Sequence, residues 1–485
     1  GASFPRAGAL AVAGAAGGDA ASDVATLVDY ALVEALTEGE RLRLHPQLRE
    51  FAVEKLATLP ETDQLGAAMV EYWIGFAKAH NGYKGMNTLD AELSGLMGAA
   101  QWAHERGLDA KVIELGYALN RYLFVRGRIV EARRVLPWAL EGARSLGEPE
   151  TERFMCHELA VLDARTGHPD AARAGYNRAL EMARQLQNLA AEQVEVHSLA
   201  VLDAETGHIE AARTGFEHGM ELARQLQNLA AERAEVHGLA VLDARAGHLE
   251  AARAGYARAL QLAGQLNDQS AELDEVHSLA VLDAQTGHTE AARAGYMRAL
   301  ELARQLQNPA EERAEVHGLA VLDAQSGHPE AARAGYMRAL ELARQLHDPA
   351  AERLEVHGLA LLDDNAGNLA SARRGYERAL ELARQIQDPA AEARELRDLG
   401  ELVARHENAE QGLALMREAL AIFDRLQIVL DVGLTYLYLA RLDRLFGNHD
   451  AAIENYRQAL SRFEQILSPD ANEARQALRE LGALP

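Results

Sequence analysis

From about residue 110 to residue 469 the chain repeats one forty-residue sentence. A glycine stays in phase at Gly127, Gly167, Gly207, Gly247, Gly287, Gly327, Gly367 and Gly447, and Glu407 carries the phase where glycine is lost. One copy, VHGLAVLDAQSGHPEAARAGYMRALELARQLHDPAAERLE, begins at Val316, and close versions begin at Val196, Val236, Val276 and Val356. A repeat of this length limits the fold severely, because a single copy cannot bury its own apolar face and must stack against its neighbours. The core then grows along the array, so a chain of 485 residues can form one elongated body as readily as several domains.

Each copy reads as a helix hairpin. In ERAEVHGLAVLDAQS the apolar Val316, Leu319, Ala320 and Leu322 follow helical spacing, SGHPE interrupts it, and PEAARAGYMRALELARQL starts a second helix. Glycine at the break permits a left-handed turn, and Pro169 or Pro329 sits where a first helical turn tolerates it. Asn308-Pro309 or Asp348-Pro349 closes the second helix and opens the next hairpin. Alanine, leucine, arginine and glutamate dominate and aromatics make up only 5%, so the chain is expected to be all-α. Small residues at Ala320, Ala332 and Ala339 allow helix axes to approach to ~8 Å. A closing helix is expected from Ser468 onward.

The pattern Leu319, Ala320, Gly327, Ala332, Tyr336 and Ala339 resembles the tetratricopeptide repeat signature. It holds from Leu119 with Gly127, Ala132 and Ala139 to Leu439 with Gly447, Ala452, Tyr456 and Ala459. The lengthened helices are similar to the forty-residue variety of kinesin light chains. The resemblance implies a right-handed superhelix, an α-solenoid of about nine hairpins, with an inner groove lined by the first helix of each hairpin. The matching positions here are those of Ala314, His317, Val321, Ala324 and Gln325. His317, Val321, Ala324 and Gln325 share one helical face, offset from the core stripe.

That placement marks the candidate ligand-binding residues: His157, His197, His237, His277, His317 and His357, with Arg397 on the next rung, and Arg165, Glu205, Arg245, Gln285, Gln325 and Asn365 at the variable position. The Ala314 position varies as well, through Phe154, Val194, Ala234, Asp274 and Leu354. So does the second-helix position of Met337, and free drift of exposed positions is therefore a competing explanation. The histidines lie on successive helices without converging and have no cysteine in phase, which argues against a metal. Imidazoles in an acidic groove would titrate near neutrality, and hydrogen bonding to a ligand is the preferred role. His168, His208, His248, His288 and His328, just past the turn glycine, read as solvated helix starts.

A carboxylate recurs on the core side, at Asp163, Asp203, Asp243, Asp283, Asp323, Asp363 and Asp443. Burial demands a partner, and the in-phase Arg173, Arg213, Arg253, Arg293, Arg333 and Arg373 are the candidates for a structural ion-pair ladder.

The first hundred residues are different text. ATLVDYALVEALTEGERLRLHPQLREFAVEKLATLPE reads as a helix, a strand-like RLRLH and another helix. It resembles the end of the winged-helix domain of STAND-class signal-transduction NTPases (NB-ARC or AP-ATPase-like), through Leu27, Val28, Asp29, Ala31, Leu32 and Val33 and then Arg43, Leu44 and His45. Alanine stands where that family has serine, and Pro46 where it often has aspartate. AELSGLMGAAQWAHERG and the helices after it look like the junction to the repeat arm of such NTPases. The expected organisation is a partial winged-helix segment at 1–60, a helical junction at 61–109, the repeat superhelix at 110–469 and a capping helix at 470–485. By this likeness His45 would meet a nucleotide phosphate in an intact parent that binds ATP or ADP.

No P-loop is present: a Gly-Lys-Ser/Thr run is required, and Lys55, Lys78, Lys84 and Lys111 all lack the preceding glycine. This chain is therefore expected to be a C-terminal piece of something larger, with no cofactor and no enzymatic activity of its own. A formal charge of −24 argues against direct nucleic-acid or anionic-membrane binding, and apolar runs are too short to span a bilayer. One cysteine, Cys156, at a core position, suits a cytoplasmic setting. The expected function is the sensor arm of a STAND NTPase, binding a protein or peptide in the groove to control autoinhibition and oligomerisation, with the parent's NTPase module as second partner. The repeat region of a bacterial transcription regulator and a free-standing scaffold are the alternatives.

Overall fold

The computed structural model describes residues 3–17, 19–36, 40–56, 58–466 and 468–484. They form two compact units, residues 1–242 and 243–485.

The first unit opens with β1 (Ser3–Pro5), α1 (Arg6–Ala15), α2 (Ala20–Asp29), β2 (Val33–Leu36), β3 (Arg41–Leu44) and α3 (Pro46–Leu56). The strands form an antiparallel sheet in the order β1-β3-β2, with Ser3 opposite Arg43 and Val33 opposite Leu44. Sequence periodicity reveals only β3 and its flanking helices, since strands of three or four residues carry too few alternations to register. Val24, Val33 and Leu42 form a small core there, whereas α3 buries no side chain. Next come α4 (Thr62–His80) and α5 (Met86–Glu105), which pair with each other and share one core with the first repeat, α6 (Asp109–Val125) and α7 (Ile129–Leu146). Trp73, Leu89, Leu96, Leu119, Tyr122 and Leu136 lie in that core. Hairpins continue with α8 (Pro149–Arg165), α9 (Pro169–Gln185), α10 (Leu189–Glu205), α11 (Ile209–Gln225) and α12 (Leu229–Arg245).

The second unit carries α13 (Leu249–Leu266), α14 (Gln269–Gln285), α15 (Thr289–Gln305), α16 (Pro309–Gln325), α17 (Pro329–Gln345), α18 (Pro349–Asn365), α19 (Leu369–Gln385), α20 (Pro389–His406), α21 (Ala409–Leu426), α22 (Val429–Leu445), α23 (His449–Gln465) and α24 (Ala471–Glu480). From α6 on, even-numbered helices are the first (A) and odd-numbered the second (B) helix of each hairpin. The molecule is an all-α repeat fold apart from its small sheet. Among the described residues no helix is long and apolar enough to cross a membrane.

Local chemistry explains the hairpins. Asn308, Asp348 and Asp388 cap their helices by accepting backbone N–H groups, and prolines occupy the first turn of α8, α9, α16, α17, α18 and α20. Gly327 takes φ 76° at the A-to-B turn. The B-to-A turns use the same left-handed region without glycine, at Gln307 (φ 52°) and His347 (φ 53°). Helices α16 and α17 approach so closely that a Cβ at Gly335 would lie 2.7 Å from that of Ala320. Around this crossing Ala320, Ala332, Tyr336 and Leu362 form the unit of core that recurs along the array. Glycine is dispensable at Glu407, where α20 runs on to His406 and Asn408 caps α21. The last helix begins at Ala471, later than Ser468, whose hydroxyl donates to the Asp470 carboxylate at 2.8 Å.

Candidate functional site: the face of the A helices

Helices α10, α12, α14, α16 and α18 each carry a glutamate and, two residues later, a histidine. His317 on α16 places Nδ1 2.9 Å from Glu355 on α18, and Arg313 donates to the other oxygen of Glu355 at 3.0 Å. His357, two residues past Glu355, bonds Glu395 at 2.8 Å, where Arg353 again fills the second oxygen at 2.7 Å. In the first unit His157 and Arg153 hold Glu195, and His197 and Gln193 hold Glu235. Every one of these glutamates is 0% exposed. The rings of His157, His197, His317 and His357 also pack on the aromatic of their own B helices, edgewise for His317 on Tyr336 at 5.7 Å and for His357 on Tyr376.

This arrangement refines the reading of the histidines. They form a ladder, yet its rungs run from one repeat to the next through a buried carboxylate, so Nδ1 is committed within the protein and only Nε2 remains for a ligand. Sequence reasoning missed the glutamates, although the chain signals them. Glutamate stands at 195, 235, 275, 315, 355 and 395, each thirty-eight residues after a histidine. Where the preceding rung is Tyr117 or Arg397, the acceptor position is Met155 or Thr435 instead. Arg397 does take the next rung, reaching Asp431 at 3.1 Å, one turn before the usual position.

One rung is incomplete. His277 bonds Glu315 at 2.7 Å, but Leu273 stands where the other copies have arginine or glutamine, and the second oxygen of Glu315 is buried with no hydrogen-bond partner. The Glu315 hydrogen bond holds His277 above the usual imidazole range. Burial works against the charge of His357, but the Glu395 carboxylate outweighs it and this ring too titrates high.

The aspartate series forms a second inter-repeat ladder. Arg133 meets Asp163 at 2.9 Å, Arg173 meets Asp203 at 2.7 Å, Arg293 meets Asp323 at 2.5 Å and Arg333 meets Asp363 at 2.5 Å, and Arg253 pairs with Asp283. Burial raises the Asp363 carboxyl, but hydrogen bonds from Arg333, Ser371 and Asn368 pull it below the usual range. Arg373 turns to Glu407, because its in-phase partner position is Val403, and Asp443 is held by Asn455 at 2.8 Å.

The remaining predicted positions separate from the histidines. Arg165, Glu205, Arg245, Gln285, Gln325 and Asn365 are exposed at the last residue of their A helices, and Arg165 packs over the Phe124 ring. His208, His248 and His288 precede their B helices with side chains about two-thirds exposed. His45 is exposed between β3 and α3, and its Nδ1 accepts the Gln47 N–H at 3.4 Å. A cavity of about 830 Å³ beside it is lined by Phe4, Arg49, Glu54, Trp73 and Glu92. Among the described residues no group of three or more His, Cys, Asp or Glu is placed to hold a metal ion.

No protein-family model and no curated protein matches this chain. Solved structures of similar fold include a signal transduction ATPase with numerous domains and a tetratricopeptide repeat sensor, from Pyrococcus horikoshii. It is 15% identical, with a TM-score of 0.54 over 88% of this chain and 62% of that one. A Rap protein complexed with competence and sporulation factor is 14% identical, with a TM-score of 0.52 over 74% of this chain and 98% of that one. This chain thus spans less than two thirds of the ATPase. The repeated A–B hairpins, their glycine turns and these likenesses together make this a tetratricopeptide-like helical-repeat protein.

Proposed function

We propose that the chain is the ligand-sensing arm of a STAND-class NTPase, recognising a protein or peptide on its A-helix face and thereby relieving autoinhibition. The observation that carries this reading is the contrast between a recurrent interior and a variable face. Buried Glu355 and Tyr336 and half-buried Asp323 recur in most copies, while the exposed ends of the A helices change through Glu205, Arg245, Gln325 and Asn365. A lattice that holds each hairpin in the same pose lets those exposed positions read a partner residue by residue. The similarity in fold to an ATPase with a repeat sensor, extending over 88% of this chain, supports the larger assignment. So does the strand, helix pair and hairpin preceding α3, in keeping with the end of a winged helix. In that setting His45 would face the nucleotide of the parent's NTPase module, ATP or ADP, and this chain itself would do no chemistry.

A bound signal shifts the switch only by its differential affinity for the released state. Crosslinking with mass spectrometry in the native host tests the reading. One partner should crosslink to A-helix residues, and charge reversal at Glu205 together with Gln285→Arg should abolish that crosslink, with His277→Gln and His317→Gln as variants of the ladder. Crosslinks confined to the B helices would overturn it.

A further inference from the structure

Helix α14 lacks two links that its counterparts make, and both are missing at its first turns. The B-to-A turns on either side are closed by an arginine near the end of one hairpin and a glutamate eight residues on in the next: Arg224 meets Glu232 at 3.1 Å, Arg304 meets Glu312 at 3.3 Å and Arg344 meets Glu352 at 3.3 Å. At the α13–α14 turn Gly264 stands in place of the arginine. Among the described residues Glu272 is therefore bonded only within its own hairpin, by Arg298 at 2.9 Å, whereas Glu312 is reached both by Arg304 across the turn and by Arg338 within its hairpin. One residue on, Leu273 replaces the donor that completes the other rungs, so one oxygen of Glu315 is left buried and without a hydrogen-bond partner. Glu315 is 0% exposed, and leaving such an oxygen unpaired is costly.

The rest of the neighbourhood is intact, which localises the defect. Leu273 packs with Leu302 and Ala303 of α15, so α14 and α15 hold together. At the far end of α14, Arg253 of α13 pairs with Asp283, and Arg293 of α15 pairs with Asp323 of α16. A hairpin fixed to its neighbours at one end and released at the other has the mechanics of a pivot. Packing does not require the glycine: Gly264 is exposed, and no neighbouring atom lies within 4 Å of where its Cβ would stand.

We propose that the hairpin α14–α15 is a hinge in the repeat array: its end at the α13–α14 turn parts from α13 and α16 while the Asp283 and Asp323 pairs stay closed. Segments that move are drawn from the low-stability end of a fold, and the unpaired oxygen of Glu315 lowers the cost of opening because water satisfies it in the open state. Opening separates the first turns of α14 and α16, so a partner spanning the two helices would select one of two curvatures. The hinge itself is a property of the array and does not depend on that partner.

Nitroxide pairs on the whole chain test it, in a Cys156→Val background that copies the residue at Val196. One pair is set at Gln265→Cys and Gln305→Cys, at the ends of α13 and α15, and the other one repeat on, at Gln305→Cys and Gln345→Cys; all three positions are exposed. Pulsed dipolar spectroscopy should give a broader distance distribution for the first pair. Native-state hydrogen exchange should show the first two turns of α14 opening at least about tenfold more often than those of α16. Leu273→Gln, which supplies the amide that Gln193 gives Glu235, together with Gly264→Arg should remove both differences. Gly264→Ala, which restores helix propensity without the link, should leave the first pair broad. The reciprocal Arg304→Gly, Arg313→Leu variant should broaden the second pair, and it keeps the hinge testable if Leu273→Gln does not fold. Equal widths in the parent, or a first pair that stays broad in the repaired variant, overturn the hinge.

Discussion

Two copies of one structural element, differing in a single donor, allow the buried ladder to be weighed. Glu355 accepts from His317 and Arg313, whereas Glu315 accepts from His277 alone and keeps one buried oxygen without a partner. Both side chains are 0% exposed and sit in nearly the same sequence, so the cavity left by alanine is common to the two sites and cancels in the difference. Glu355→Ala breaks a fully bonded buried pair and should cost ~3–5 kcal/mol. Glu315→Ala loses one charge-assisted bond but also removes an unsatisfied buried oxygen, which itself costs ~1–3 kcal/mol. The second substitution should therefore be milder by ~2–3 kcal/mol. Native-state hydrogen exchange on α16 and α18 measures the two opening free energies locally, which avoids assuming that a repeat array unfolds in one step. Equal costs at the two sites, within ~0.5 kcal/mol, would refute the reasoning, because they would mean that the Arg313 bond contributes nothing.

Other consequences can be measured on the same protein. The raised rings of His277 and His357 bind protons more tightly folded than unfolded, so their contribution is complete below the unfolded value of ~6.5 and fades as pH rises through each folded pKa. Urea midpoints taken between pH 6 and 9 should accordingly fall less in a His277→Gln, His357→Gln double variant than in the parent, and parallel curves would contradict this. Gly335→Ala gains ~1 kcal/mol of helix propensity but forces a Cβ to 2.7 Å from that of Ala320, an overpacking cost of ~1–3 kcal/mol. Thermal unfolding should show a net loss, and a higher Tm would disprove the close approach. Asp323→Ala removes a partly exposed ion pair with Arg293 and should lower stability by only ~1 kcal/mol, with peptide binding retained. An unchanged melting curve would leave that rung without energetic meaning.

What the sequence determined by itself was everything that repeats locally. The forty-residue phase, the glycine at Gly327, the caps at Asn308 and Asp348 and the 3.6-residue apolar stripe follow from rules acting within a few residues, and all are present in the hairpins. The aspartate–arginine ladder was legible for the same reason, since both partners recur in phase. Tertiary structure decided the rest. Whether His317 faces a ligand or Glu355 depends on how far α18 slides and rotates against α16, a packing choice made by Ala320, Gly335 and Tyr336 and invisible in either helix alone. The short strands β1 and β2 depend on pairing with β3 and not on their own three or four residues.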